Sequence, residues 1–500
     1  MRLNPQHALL ATASAAALLL AACGGSGGDS SAPNNNNNNG GGNTPRPAVN
    51  RIEPYDPPRS APAKALPVSH LPAHASVAQV DLGDLPVAKS EAVLNQHGGA
   101  GVPLQVGVAR PVLAAASVTD TAGLLDWSAT SAGTQVAALR VNSPAAHGLR
   151  LALLVQQLPE GATLRFYGDV NDADGGEVVE ISAEQIKQTL AVNEQAGLSG
   201  DEARTYWGPD FSGSATTLEI EIPASARPTD VQVAVPQAMH NVIDPTRAHT
   251  FKLKGVGDSG SCNLNVSCNT DILNTEGRAE AQMTFVKGSS AYVCSGTLMN
   301  DAKNSGTPYF LTAHHCISEQ TVASSLQTRW FFRAASCGAT NSTNAGSQRL
   351  TSGATLLYAN ATTDTSFMRL NSAPPAGVRY AGSFFGGTLA VNAPVTGVHH
   401  PSGDLQKYSI GAVRTYANRS GDRLVEASQA DGNFLVVTWA NGTTEGGSSG
   451  SGLFTTQGNT RYVVGQLYAG TASCSNPSGY DGYGRFDLAY NAAIKRWLNP

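Results

Sequence analysis

Charged side chains are scarce in this sequence. Only 14% of the 500 residues are Asp, Glu, Lys or Arg, and the formal net charge at pH 7 is −5. So little positive charge excludes the extended basic surface that nucleic-acid binding requires. The low charge and the abundance of small and polar residues indicate an exported protein rather than a cytosolic enzyme.

Cysteine is missing from residues 24 to 261, and the sequence contains no Cys-x-x-Cys pair. The wide spacing of the cysteines argues against a metal site. The cysteines beyond residue 260 form an even set, which in an exported chain predicts three disulfides and a distinct C-terminal domain. They are Cys262, Cys268, Cys294, Cys316, Cys337 and Cys474.

The apolar run at the N-terminus, Ala8 to Ala22, is too short for a comfortable membrane span and predicts a secretory signal after Arg2. The run ends in Leu-Ala-Ala-Cys, which resembles the lipobox of bacterial lipoproteins and makes Cys23 a lipidation site. The alternative is an ordinary cleavage site with an incidental cysteine. Gly24, rather than Asp, after the cysteine favours an outer-membrane address.

Composition divides the chain into a signal peptide (1–22), a flexible, low-complexity linker (23–110), a β-rich segment (111–254) and a C-terminal domain (255–500). The β-rich segment predicts a small β-sandwich without a catalytic candidate. Alternation over residues 217–222 predicts one buried and one solvated face. The strand-like runs of this segment are residues 135–141, 149–155, 163–167 and 217–222.

The C-terminal domain has the composition of a disulfide-linked β domain. Apolar residues at helical spacing predict a helix at its end, over 488–498. Its predicted strands include residues 281–286, 309–312, 434–439 and 462–468.

A glycine-rich turn, residues 445–451, presents a serine to solvent and brings amide groups together, as acyl transfer requires. Upstream, a strand-like run ends in His314-His315-Cys316, which supplies a candidate base. A third group should orient that base, and Asp364 opens an apolar strand between the two motifs. The order His315, Asp364, Ser449 predicts a catalytic triad.

These motifs resemble those of the bacterial lysyl endopeptidases, within the chymotrypsin-like serine proteases. The resemblance covers about residues 255–500, and its motifs occur in the family's order. They are Gly260-Ser261-Cys262-Asn263, Thr312-Ala313-His314-His315-Cys316, Asp364, His399-His400-Pro401, Gly447-Ser448-Ser449-Gly450-Ser451 and Asp481-Gly482-Tyr483-Gly484-Arg485.

The resemblance implies an all-β fold with a two-barrel protease domain and a C-terminal helix, preceded by a mostly β pro-domain. It makes His315 the general base, Asp364 its orienting group and Ser449 the nucleophile. The backbone N–H groups of Gly447 and Ser449 would form the oxyanion hole. No cofactor or metal is implied, and a monomer is expected.

The resemblance also implies disulfide pairs and a substrate pocket. Asp481 would lie at the bottom of the pocket, with Tyr468 and Gly470 beside it, and would select Lys or Arg. Tyr468 replaces a histidine of strictly lysine-specific relatives, so selection of Lys over Arg is not implied. The disulfide pairs would be Cys262–Cys474, Cys268–Cys337 and Cys294–Cys316.

Two features of the sequence, Ser448 and the Lys254–Gly255 bond, bear on how the enzyme is activated. Ser448 replaces the aspartate that pairs with the new N-terminus in trypsin-type zymogens, so removal of the pro-segment is expected to activate the enzyme. The Lys254–Gly255 bond is the predicted site of self-processing. Cleavage there would release the protease from a lipid on Cys23 unless the pro-segment stays bound.

Two other functions are compatible with parts of the pattern. A catalytically inactive binding protein on a protease-like scaffold would keep the fold without the chemistry. An esterase would require a Gly-x-Ser-x-Gly elbow, whose spacing differs from that of the turn here. The adjacent histidine pairs do not suit zinc, because neighbouring residues of a strand point to opposite sides.

Overall fold

The structure, a computed structural model, describes residues 50–58, 66–95, 100–169, 176–243, 259–339 and 346–500. The described residues belong to one compact unit. Cys23, Lys254 and Gly255 lie outside these ranges, as does the predicted signal peptide.

The N-terminal half contains short strands and a few helices. The helices are α1 (Val87–Leu94), α2 (Val118–Leu124), α3 (Ala183–Gln195) and α4 (Gly200–Arg204). The strands are β1 (Arg51–Ile52), β2 (Val77–Asp81), β3 (Leu104–Pro111), β4 (Ser128–Ala129), β5 (Gln135–Asn142), β6 (Gly148–Gln157), β7 (Thr163–Tyr167), β8 (Val178–Ser182), β9 (Thr205–Trp207), β10 (Phe211–Ser212), β11 (Ala215–Ile222) and β12 (Gln232–Asn241).

Two sheets of this half, in the orders β2-β5-β11-β7-β8 and β10-β6-β12-β3, share one apolar core. The prediction that residues 217–222 have a solvated face is wrong, because all of β11 is buried. Its polar face carries Glu219 and Glu221, which bind the buried Arg165 guanidinium at 3.0 and 2.6 Å. Pairing and hydrogen bonds make the burial of these charges tolerable.

The C-terminal half consists mostly of strands. Its helices are α5 (Thr270–Asn274), α6 (Gln320–Ser324), α7 (Phe486–Ala489) and α8 (Lys495–Leu498). The strands are β13 (Leu264–Asn265), β14 (Glu280–Lys287), β15 (Ser290–Met299), β16 (Tyr309–Ala313), β17 (Gln327–Trp330), β18 (Gln348–Leu350), β19 (Ala354–Asn360), β20 (Thr365–Leu370), β21 (Ser383–Phe384), β22 (Pro394–His399), β23 (Lys407–Ser420), β24 (Arg423–Ala427), β25 (Phe434–Asn441), β26 (Gly452–Gln457), β27 (Thr460–Gly470) and β28 (Asp481–Arg485).

Strands β22, β23, β25, β28, β27 and β26 pair in a closed ring and form a six-stranded barrel. Seven further strands of this half pair in the order β18-β17-β14-β15-β16-β20-β19. A π-helical turn, Tyr490–Ile494, joins α7 to α8 at the C-terminus. The predicted all-β class with a C-terminal helix is confirmed. Among the described residues, no helix has the length and apolar character needed to cross a bilayer.

The N-terminal half continues a sheet of the C-terminal half. Strand β3 pairs antiparallel with β15, with Leu104 opposite Val293 and Val108 opposite Ser290. Strands β1 and β2, helix α1 and most of β3 lie within residues 23–110, where composition predicted a linker. The secondary structure differs from that prediction because β1 and β3 find their partner strands far away in the sequence.

Three disulfides join the pairs that the family resemblance implies: Cys262–Cys474, Cys268–Cys337 and Cys294–Cys316. The last of these closes the shortest loop and connects β15 to the segment just after β16. It therefore ties the residue next to His315 to the neighbouring strand β15.

Candidate active site

His315 lies just after β16 and is hydrogen-bonded to Asp364 through two of its groups. Its ring Nδ1 lies 2.8 Å from Asp364 Oδ2, and its backbone N–H donates to Asp364 Oδ1 at 3.0 Å. A carboxylate can only accept hydrogen bonds, so Nδ1 carries the proton and the Nε2 lone pair is free to act as a base. Both side chains are buried.

Asp364 occupies the turn before β20 with a φ of +49°, a conformation that an aspartate tolerates better than most residues. Gln466, which is completely buried, donates from Nε2 to the carbonyl oxygens of Thr363 at 2.8 Å and Asp364 at 3.2 Å. A Cβ on Gly484 would lie 1.8 Å from Thr363 O, so only glycine fits behind this turn. These contacts fix the carboxylate under His315.

Ser449 lies in the turn between β25 and β26. Gly447 and Gly450 have φ values of +94° and +82°, which favour glycine. Ser449 is partly exposed, whereas Ser448 is completely buried. Ser448 and Gly450 donate their N–H groups to Glu445 O and Leu467 O. Within the described part of the chain, the N–H groups of Gly447 and Ser449 have no such acceptor, as an oxyanion hole requires.

The serine turn packs against the strand that leads to His315. A Cβ on Gly450 would lie 2.0 Å from Thr312 Oγ1 and 2.8 Å from Ala313 N, and Ser449 O accepts the Ser295 N–H at 2.8 Å. No hydrogen bond joins Ser449 to His315 Nε2, which has no partner among the described residues. In free enzymes this catalytic hydrogen bond is often long or poorly aligned.

A relay of buried hydroxyl and imidazole groups supports the turn from below. Ser409 Oγ donates to Thr443 O at 2.7 Å, because a carbonyl can only accept. Ser409 must therefore accept from His399 Nε2–H, 3.0 Å away. His399 Nδ1 is left to accept the Ser448 hydroxyl at 2.9 Å. Burial lowers the pKa of His399 to about 3, which keeps this imidazole neutral.

A second relay holds the carbonyl of Gly447. The backbone N–H of His400 donates to Ser295 Oγ at 3.0 Å, and that hydroxyl donates to Gly447 O at 3.0 Å. The neighbouring Ser402 N–H donates to Gly446 O. The segment around residues 399–403 therefore fixes both sides of the serine turn.

Asp481 is buried, 1% exposed, in a cavity of about 120 Å³ that Ser449, Tyr468 and Gly470 also line. Its Oδ2 accepts hydrogen bonds from Trp439 Nε1 at 2.6 Å and Thr444 Oγ1 at 2.7 Å. Burial raises the pKa of Asp481 to about 6, against the lowering effect of these donors. Asp481 is therefore a buried acid within the cavity, as recognition of a cation requires, and Glu445 is a second carboxylate in its lining.

Glycine is required at position 470, because a Cβ there would lie 1.9 Å from Asp481 Oδ1. Tyr468 lies between the pocket and the base. Its ring is edge-on to the His315 ring at 6.0 Å, and the Arg419 guanidinium lies 5.9 Å from the Tyr468 ring centre.

Residues of the N-terminal half reach this cavity. The cavity is also lined by Ala100, Gly101, Val102 and Leu104. Gly101, with a φ of +71°, passes so close to Tyr468 that a Cβ on Gly101 would lie 2.7 Å from Tyr468 Cε2. The entrance to the pocket is therefore in contact with the segment that precedes β3.

One cluster in the described part of the chain has the side chains of a metal site. It consists of Cys294, His315 and Cys316, but the two sulfurs are joined as a disulfide. They cannot supply the thiolates that bind zinc.

Several residues that support the site are not predicted from the sequence. They are Gln466, which donates to the backbone of Asp364, Trp439 and Thr444, which donate to Asp481, and the hydrogen-bonded pair Ser409 and His399. The His399-His400-Pro401 motif was noticed only as a resemblance. No local pattern links Gln466 or Trp439 to the site, because their partners lie far away in the sequence.

Two family models match the chain. Residues 81–242 match the lysyl endopeptidase N-terminal domain, and residues 256–484 match the lysyl endopeptidase C-terminal domain. A lysyl endopeptidase from Pseudomonas aeruginosa is 32% identical over 417 residues, which cover 80% of this chain and 82% of the relative.

Among solved structures, the MamO protease domain of Magnetospirillum magneticum aligns with a TM-score of 0.30 and 11% identity, over 44% of this chain and 97% of that one. The matched sequence models cover both halves of the chain and the Pseudomonas relative spans most of it. The chain therefore belongs to the lysyl endopeptidase family of peptidases.

Proposed function

We propose that this protein is a serine endopeptidase that cleaves polypeptides after Lys or Arg. Ser449 is the nucleophile, His315 the general base and Asp364 the group that orients it. The observation that carries this proposal is the 2.8 Å contact between His315 Nδ1 and Asp364 Oδ2 beside the serine turn. This contact leaves Nε2 as the only ring nitrogen able to take a proton.

In the reaction, Ser449 Oγ attacks the scissile carbonyl carbon while His315 Nε2 takes the hydroxyl proton. The Asp364 carboxylate stabilises the resulting imidazolium. The N–H groups of Gly447 and Ser449 donate to the oxyanion. Nε2 then protonates the leaving amine. Water next attacks the carbonyl carbon of the acyl-enzyme while Nε2 takes its proton, and Nε2 returns that proton to Ser449 Oγ as the carboxylic acid product leaves.

Specificity for basic residues is assigned to Asp481. A substrate ammonium or guanidinium would neutralise this buried carboxylate, whereas a neutral side chain would leave it unpaired. Strictly lysine-specific relatives carry a histidine at the position of Tyr468, which here packs beside the Arg419 guanidinium. Because this histidine is absent, we assign both Lys and Arg as substrates.

The protein is made as an inactive precursor in this proposal. The contacts of residues 100–104 with the cavity support a pro-segment that blocks its own protease. The enzyme would cut itself at Lys254–Gly255, whose basic residue suits a pocket built on Asp481. The family is consistent with export, and a lipid on Cys23 would tether the precursor to the outer membrane.

Two measurements test the proposal. Peptides that the processed enzyme releases from a mixed protein substrate are expected to end in Lys or Arg, and cleavage without a basic preference would contradict the role of Asp481. The wild type and Ser449→Ala are then expressed in a host that lacks proteases specific for basic residues, and their N-termini are sequenced. A mutant still cut before Gly255 would exclude self-processing.

A further inference from the structure

Residues 50–58, which we call the N-terminal arm, add a strand to the protease half. In β1, Arg51 lies opposite Phe384 and Ile52 opposite Ser383. Tyr55 and Tyr380 exchange two backbone hydrogen bonds of 2.9 Å each. The arm lies outside both stretches that match the family models.

The surface under the arm is shaped to receive it. Ile52 is 3% exposed and belongs to a core cluster with Phe385, Phe454 and Val463 of the protease half. A Cβ on Gly382 would lie 2.6 Å from Ile52 O, so this surface admits the arm only because position 382 lacks a side chain. We call this surface, formed by residues 380–386 and their neighbours, the arm groove.

Charged and polar side chains of the protease half recognise the arm as well. The Asp56 carboxylate bridges Arg278 at 3.0 Å and Arg379 at 2.5 Å, and both arginines are largely buried. Glu53 accepts from Asn300 Nδ2 through its backbone oxygen at 2.8 Å and from the Tyr462 hydroxyl through its side chain at 2.5 Å. An extended peptide with an apolar residue followed four positions later by a carboxylate fits this groove.

We propose that the arm groove is a docking site that keeps the N-terminal half bound after the chain has been cut. This inference rests on the proposed processing between the two halves. The cavity beside Ser449 and the arm groove have no residue in common, so an occupied groove is compatible with an open active site. The arm and residues 100–108 bind different surfaces. When one of them is released, the other holds it near its own binding surface at a high effective concentration, so it binds again quickly.

Retention of the N-terminal half through the arm would determine where the protease acts. Everything N-terminal to residue 50, including the proposed lipid on Cys23, would remain attached to the processed enzyme through the arm. The protease therefore stays at the surface of the cell until the arm is removed or dissociates.

The test uses the full chain carrying Ser449→Ala, with the recognition sequence of an unrelated site-specific protease inserted within residues 244–258. After cleavage by that protease, the dissociation rate of the two halves is measured on a surface that holds the N-terminal half. This cut does not depend on self-processing, so a failure of the proposed function leaves the measurement intact.

We expect the halves with the natural arm to stay together and Asp56→Asn to speed their dissociation about tenfold, since two charge-assisted hydrogen bonds are weakened. Arg379→Gln should have a similar effect. In the double variant Asp56→Asn/Arg379→Gln, the dissociation rate should rise by less than the product of the two single factors, because both changes weaken the same ion pair. Asp201→Asn, a change at an exposed carboxylate of α4, is the matched control and should change nothing.

Equal dissociation rates for the natural arm and Asp56→Asn would overturn the proposal, and so would immediate separation of the unaltered halves. Thermal unfolding of the uncut variants controls for folding. If Arg379→Gln does not fold, Tyr462→Phe replaces it, because this change removes only the hydroxyl bonded to Glu53.

Discussion

Asp481 shows how a buried acid can oppose stability. Burial raises its pKa to about 6 from an ordinary value of 3.8, so the folded protein holds the carboxylate less favourably than the unfolded chain does. The resulting destabilisation appears as the pH rises above about 4 and is complete above about 6. A bound cation would remove much of this unfavourable energy, which is how the proposed pocket would discriminate between basic and neutral side chains.

Asp481→Asn is therefore expected to act in opposite directions on activity and stability. The kcat/KM for Lys and Arg substrates should fall by a factor on the order of 10²–10³, and that for neutral substrates far less. In the Ser449→Ala chain, the free energy of unfolding at pH 7.5 should rise by up to about 3 kcal/mol, and this gain should vanish below pH 4.

Substrate kinetics and urea unfolding at the two pH values measure these changes. Equal losses of activity on basic and neutral substrates would show that Asp481 is structural and that the pocket charge lies elsewhere.

Neighbouring serines in the turn should behave very differently. Ser449→Ala should reduce turnover by about 10⁶, because only the nucleophile is removed. Ser448→Ala should keep most of the turnover and lose about 1–2 kcal/mol of stability, because His399 Nδ1 loses its buried donor. Single-turnover kinetics and urea unfolding of both variants are the measurements. An active Ser449→Ala enzyme would place the nucleophile elsewhere.

At the scale of secondary-structure elements, strand β3 and the residues before it connect the two halves at the active site. A Cβ on Gly101 would overlap the Tyr468 ring, whereas Gly133, also in the N-terminal half, has a similar φ of +82° and no atom within 4 Å of the place where a Cβ would lie. Substitution of Gly101 therefore adds both backbone strain and a steric clash with Tyr468, whereas substitution of Gly133 adds backbone strain alone.

Gly101→Ala is expected to raise the residual activity of the cut precursor about tenfold, because the added Cβ overlaps the Tyr468 ring and weakens inhibition. Gly133→Ala carries the same kind of backbone strain and should leave inhibition unchanged. Hydrolysis of a small Lys substrate by freshly cut chains measures the difference. Equal residual activity in the two variants would mean that residues 100–104 do not inhibit.

Elements whose signal is local could be predicted from the sequence. The strands predicted at 281–286, 309–312, 434–439 and 462–468 lie within β14, β16, β25 and β27. The helix α3, with a Ser182–Gln185 capping box, was missed in a segment interpreted as strands only. The arm and β3 were missed because their partners are distant protease strands. The triad could be proposed because each member lies in a short motif, whereas Gln466 supports it through tertiary contacts alone.

For the whole molecule, buried neutral histidines predict sensitivity to acid. Burial lowers the pKa of His399 to about 3 and of His400 to about 4, below the ordinary value of 6.5. Below pH 6.5 the unfolded chain binds these protons and the folded protein does not, so stability falls as the pH is lowered. Each histidine contributes about 1.4 kcal/mol per pH unit until its folded pKa is reached.

We therefore expect His399 and His400 to lower the stability of the Ser449→Ala chain between pH 6 and pH 4, and protonation of Asp481 to offset about one proton of this slope. His400→Phe, which preserves stacking on Phe332, should reduce the slope by about one proton. Urea unfolding at a series of pH values measures the slope. An unchanged slope in His400→Phe would show that this histidine is not held neutral in the folded protein.

The proposed function depends most on Ser449 acting as a nucleophile in a pocket that accepts cations. The direct measurement is to react the processed enzyme with an aryl phosphonate that carries a basic side chain, and to locate the adduct by tandem mass spectrometry. We predict one adduct, on Ser449, that forms far more slowly when the reagent's side chain is neutral. An adduct on Ser448, no adduct on an enzyme that hydrolyses peptides, or equal rates with both reagents would contradict the proposed function.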